Sequence, residues 1–297
     1  MTAPADTPAA LPWQRVFYWS VRRELWENRA VLLAPAAIAA IGFVGFLISA
    51  FGLPNALRAV EASGKRSALL LGPHSFVALA VLATGLLVGM FYAAGALQSE
   101  RRDRSLLFWK SMPVSDRMTV LSKAAVPILV IPLATLAITI GTQALMLVWS
   151  TLAAAFNGIS PLVVWRHVSL ATMWVVLPYG LLVNVLWMAP VWSWLLLVSA
   201  WARRMPILWA VAPFAAPAII EGIAFRTAHV AQFVGERVLG GYAMAFSVGG
   251  KAEEAIHSPS QLDPIHVLSE PGLWLGLAFA AAFLAAAIWL RRRREPS

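Results

Sequence analysis

The residues of this chain with the widest chemical repertoire are its carboxylates and imidazoles, and one run gathers several of them: GERVLGGYAMAFSVGGKAEEAIHSPSQLDPIH. Glu253 and His257 stand four residues apart, a spacing that brings both to one helix face, and Glu254, Asp263 and His266 offer further oxygen and nitrogen donors. Such a set can ligate a divalent cation. Short solvent-facing helices carry Glu and His without any metal, so the spacing by itself assigns no ligand. The chain has no cysteine, which removes disulfides and thiolate metal sites.

Three polar residues lie in or beside apolar stretches. Glu221 comes five residues before Arg226; a carboxylate inside a membrane can line a translocation route or relay a proton, whereas one at a span's end can simply be hydrated. Gln143 and Asn184 sit deeper, as candidates for a translocation path or for contacts between helices.

Catalytic patterns are sparse. Glu253 and Glu254 begin like the EExxxR arrangement of one membrane-protease family, but Ser258 occupies the arginine position, and no H-E-x-x-H motif occurs. An intramembrane hydrolase therefore stands as an alternative without a motif, testable by hydrolysis with the purified chain alone. No Walker A pattern is present, so the sequence offers no phosphate pocket of its own.

The elements that must position these residues follow from composition. Of 297 residues, 60% are hydrophobic and 12% charged, with a mean hydropathy of +0.73. In water such a chain would expose too much apolar surface, and lipid removes that problem. Fourteen Trp residues fit the membrane interface. The net charge of +9 suggests nucleic acid in a soluble protein, but here the cations flank apolar spans, so an anionic leaflet is the simpler partner.

In order, residues 1–12 read as a disordered tail, with no cleavable signal, and 13–29 as an interfacial helix whose stripe is Phe17, Val21, Glu24, Leu25 and Asn28. Membrane spans are expected at 31–53, 74–97, 124–149, 168–200, 206–225 and 272–290, with a polar segment at 226–271. The fourth, 33 residues long, would extend roughly 50 Å as one helix, so Pro178 and Pro190 predict a bent or interrupted element. Six crossings put both termini on one side. That side then holds sixteen of the 23 Lys/Arg and half of the 14 Asp/Glu, which by charge asymmetry makes it cytoplasmic.

The longest cationic break is 99–123, SERRDRSLLFWKSMPVSDRMTVLSK, with six Lys/Arg and three Asp/Glu. Pro113 favours a bend, Ser115 can cap a helix entering Asp116, Arg117 and Met118, and Asp116 suits the positive first turn. Val114, Met118 and Leu121 make an apolar side. A cytoplasmic helix of this shape can dock in another protein's groove; membrane anchoring explains the arginines equally well.

The stretch resembles the cytoplasmic segment that joins the second and third membrane helices of ABC-2 type transporter permeases. Glu100 and Arg101 match its acidic-basic entry, Leu106 and Leu107 its paired aliphatics, Met112, Pro113, Val114 and Ser115 its turn, and Lys123 its closing lysine; ERRDRSLLFWKSMPVSD is similar to a bacterial subgroup. Asp103, Arg104 and Ser105 depart from the Gly-Thr turn of many members. The resemblance implies an all-α polytopic protein of six transmembrane helices, with an N-terminal interfacial helix and a short cytoplasmic coupling helix, in a bacterial inner membrane. It implies an exporter subunit that binds no cofactor, pairs with a second permease as a homodimer and receives motion from a separate ABC ATPase that uses the ATP. Glu100, Arg101 and Arg104 would then position the ATPase electrostatically, Leu106 and Leu107 would dock, and Pro113, with Val114 and Ser115, would form the turn. Lys123 is expected as an interfacial anchor. A nonenzymatic scaffold with the same helix remains the other alternative.

Overall fold

The computed structural model describes residues 12–52, 68–102, 115–167, 170–248, 251–252 and 262–293. Twelve α-helices appear among them, numbered here in chain order. Helix α1 is Trp13–Glu27 and α2 Ala30–Ser49, followed by a 3-10 turn Ala50–Gly52. The 35-residue α3 covers Ala68–Arg102. Next come α4, Asp116–Ala125, a π-turn at Val126–Val130, and α5, Ile131–Phe156. After the short α6, Leu162–His167, lie α7, Leu170–Trp187, and α8, Ala189–Trp201. The chain ends with α9, Pro206–Ala224, α10, His229–Ala245, α11, Pro264–Ser269, and α12, Pro271–Arg293. A minimal antiparallel pair, Ser247–Val248 with Lys251–Ala252, is the exception to the helical class among the described residues.

Five helical runs are long and apolar enough to cross a membrane, and the bent pair α7–α8 is a sixth if it forms one broken span. The protein is thus a polytopic all-α membrane protein. Helices apolar all round are stable where lipid solvates their outer faces. Several internal hydroxyls are satisfied locally: Thr84, Thr135, Thr142, Ser150 and Ser193 each donate to the carbonyl four residues earlier.

The break in the fourth span falls at Met188, with a 48° bend between its halves. Pro190, in the first turn of α8, has no N–H to continue the α7 ladder. Pro178 is carried inside α7 without a break.

Two boundaries differ from expectation. The second span runs on to Arg102, so Glu100 and Arg101 belong to a helix and the cationic connection narrows to 103–114, which lies outside the described residues. The helix capped by Ser115 is not a separate short element either. It continues through the π-turn into α5 as one run, Asp116–Phe156. Pro127 and Pro132 convert the junction to π-geometry without ending it, because neighbouring helices enclose the altered ladder.

The core lies where α3, the π-turn, α5 and α8 meet, built from Tyr92, Ala93, Val126, Ile131, Trp192 and Leu196. Small residues allow close approach: at Gly85 a side chain would collide with Thr135. Helix α8 packs chiefly on α12 and α3, and α2 on α3 and α5. The segment expected as a polar connection at 226–271 contributes α10, which packs along α7.

Candidate functional site

The site is built around α4, a short helix bonded to α1 and α12 and packed on α3 and α8. Ser115 is extended (φ −72°, ψ 151°), and its Oγ accepts from the Met118 amide at 3.2 Å, the cap expected from sequence. Asp116 in the first turn accepts from Arg291 Nε at 2.9 Å, which ties α4 to the last turn of α12. One face of α4 buries Val120 and Ala124; Val120 packs with Leu97, Ala200 and Ala287 of α3, α8 and α12.

At the far end of α4 stands Lys123. Its side chain is 2% exposed, and Nζ donates to Glu24 Oε1 at 2.8 Å. Glu24, on α1, is 1% exposed. The same carboxylate accepts from Arg23 Nη2 at 3.1 Å and, through Oε2, from the Tyr92 hydroxyl at 2.8 Å. Arg23 Nε also pairs with Glu27 at 3.3 Å, so among the described residues cations and carboxylates alternate around Glu24. A lysine beside an apolar run can snorkel or pair with a nearby acceptor, and α1 lays Glu24 beside this one.

Helix α1 supplies Glu24 because its stripe faces inward. Phe17, Val21, Leu25 and Asn28 are partly covered and Glu24 fully, whereas Trp19 and Trp26 stay exposed on the other side. Arg22 lies between Trp19 and Trp26, 4.9 and 4.8 Å from their ring centres. This same end of the bundle also joins α3 to α8: Ser199 Oγ accepts from the Leu97 and Gln98 amides, and Gln98 Nε2 donates to the Arg203 carbonyl. The two terminal helices α1 and α12 therefore both meet α4 at one end of the bundle.

Of the residues singled out in the cationic stretch, Glu100 and Arg101 fall in the last turn of α3, while Arg104, Leu106, Leu107, Pro113 and Val114 lie outside the described residues. Sequence reasoning placed Glu24 on the inward stripe but missed it as the partner of Lys123. The available signal was a carboxylate at an apolar stripe position, matched by a lysine at a span's edge.

The other polar candidates separate. Glu221 accepts from Thr227 Oγ1 at 2.7 Å and from the amides of His229 and Val230 at 2.8 and 2.9 Å, with His229 Nδ1 at 2.7 Å. It closes the turn through Arg226, which has a positive φ of 53°, and satisfies the first amides of α10. Gln143 is buried, and its Nε2 lies 3.5 Å from the His74 carbonyl, a contact between α5 and α3. Asn184 lines a small cavity between helices.

Glu253, Glu254 and His257 lie outside the described residues. Asp263 caps α11 by accepting from the His266 amide at 3.0 Å. Among the described residues no three His, Asp or Glu side chains converge on a space for a metal ion. What the α4 site can do is mechanical: it joins four helices at the point where the chain emerges from 103–114. Comparison with models of known families, with curated proteins and with solved structures finds no match for this chain.

Proposed function

We propose that the chain is the membrane-spanning permease subunit of an ATP-driven transporter of the ABC-2 type, an exporter that hydrolyses nothing itself. Two copies pair as a homodimer in a bacterial inner membrane, with both termini cytoplasmic, and a separate ABC ATPase binds and hydrolyses the ATP. The likeness of 99–123 to the permease segment motivates this reading.

The observation that carries it is the bonding of α4. A push on 103–114 would enter α4 at Ser115 and pass at once to α12 through Asp116 and Arg291, and to α1 and α3 through Lys123, Glu24 and Tyr92. Because α4 continues into α5, the same displacement would travel along the third span. An isolated anchor would need none of these bonds. Leu106 and Leu107 would seat in the ATPase groove, Pro113 would set the bend, and Glu100, Arg101 and Arg104 would orient the contact.

The test is co-purification with a candidate ABC ATPase, followed by separate Leu107→Ala and Pro113→Ala substitutions. Reduced assembly or reduced substrate-stimulated turnover is expected. Normal assembly and normal turnover in both variants would remove 103–114 as the coupling element. Vectorial movement of a solute by the reconstituted complex separates a transporter from a scaffold.

A further inference from the structure

We infer that the cavity at the break between α7 and α8 is a water site, in which one or two water molecules bridge Asn184 and Trp192. The cavity measures about 30 Å³ and lies between α3, the π-turn with α5, the two halves of the fourth span, and α10. A water needs on the order of 10–15 Å³ of such space. The volume suits one or two waters and is too small for an organic solute.

Its polar lining fits the same occupant. Asn184 is 5% exposed and Trp192 4%. Asn184 Oδ1 and Trp192 Nε1 are both buried and find no hydrogen-bonding group among the described residues. One is an acceptor and the other a donor, the pair that a single water satisfies by donating to the amide oxygen and accepting from the indole. The Asn184 amide nitrogen has only the Met188 sulfur, at 4.0 Å, a weak acceptor. Thr135 and Tyr242, two hydroxyl-bearing residues, also line the cavity; Thr135 Oγ1 lies 2.9 and 3.0 Å from the Ile131 and Pro132 carbonyls, to which it donates. Cavities walled by aliphatic groups alone stay dry, whereas one with two to four polar partners is hydrated.

The position supplies an independent argument. Pro127 and Pro132 wall the cavity on one side, and the 48° bend at Met188 adjoins it on the other. Prolines remove donors from a helix ladder, and in membranes ordered water and local π-geometry restore what they remove. A π-turn and a broken helix thus share one polar space, and the water pins the two irregularities together. This conclusion does not depend on the transport reading and holds equally for a scaffold or an enzyme.

The experiment uses the full chain in nanodiscs of deuterated lipid with its tryptophan indoles labelled with nitrogen-15. The Trp192 indole signal is identified by its loss in Trp192→Phe, and the readout is its nuclear Overhauser cross-peak to water. A cross-peak is expected in the unsubstituted chain and in Tyr242→Phe, which removes a hydroxyl able to relay the signal. In Asn184→Leu it should fall at least tenfold; in Asn184→Ser, which keeps a polar partner, it should persist. An unsubstituted chain without the cross-peak overturns the inference whether or not the leucine variant folds. An undiminished peak in a folded Asn184→Leu overturns the bridge to Asn184.

Discussion

Glu24 and Glu221 are both carboxylates beside helix ends, both bonded at distances near 2.8 Å, and they do different work. The lysine and tyrosine partners of Glu24 lie 99 and 68 residues away, on α4 and α3. Every partner of Glu221 lies within nine residues of it. One carboxylate therefore holds helices to each other, and the other holds a turn to the helix that follows it. The contrast shows that a charge in a membrane protein is informative through the sequence distance of its partner more than through its own depth. A carboxylate whose partners are local completes a cap. One with remote, buried partners, a counter-charge among them, fixes an arrangement of helices, and removing the remote cation leaves the carboxylate with only its local pairing.

The contrast can be broken most directly at Lys123. Lys123→Met should cost about 3–5 kcal/mol of stability, because Glu24 is left buried without its main counter-charge. The midpoint of thermal or denaturant unfolding in detergent reads this. Adding Glu24→Met should recover much of the loss, since two apolar side chains then replace a pair that was costly to desolvate. A Lys123→Met protein unfolding at the original midpoint would make Glu24 no different in kind from Glu221.

Tyr92→Phe removes one hydroxyl from the same carboxylate and leaves the charge pair in place. About 1.5–3 kcal/mol is expected in the same unfolding measurement, the range for a hydrogen bond to a charged group. Glu221→Ala should cost roughly 1 kcal/mol, the size of a lost helix cap. Its signature should be local, with faster amide hydrogen exchange at His229 and Val230 and little change near α4. Exchange that rises across the whole bundle would assign Glu221 a long-range role. The smallest effect is expected for Asp116→Asn, at most about 1 kcal/mol, because its partner Arg291 meets it at the partly exposed rim. A larger loss there would shift the weight of the α4 clamp from Lys123 to Arg291.

How much was legible in the sequence differs between these residues for the same reason. The Ser115 cap and the acidic first turn at Asp116 were readable because a cap acts over three residues. The inward stripe of α1 was readable because helical periodicity places Phe17, Val21 and Glu24 together whatever else the chain does. Glu221 was legible as polar but not as a cap, because its role depends on Arg226 taking a positive φ and turning the chain back. The continuation of α4 into α5 was hidden by Pro127 and Pro132, which signal a break in water and are accommodated as a π-turn inside a packed bundle.

The apolar spans were determined by the amino-acid sequence alone, since lipid leaves the backbone few other ways to satisfy its hydrogen bonds. The partner of Lys123, the depth of Glu24 and the polar space at Asn184 were decided only by the tertiary structure. Each depends on which helix lies beside which, and side-chain packing among helices already inserted sets that choice without leaving a local pattern in the chain.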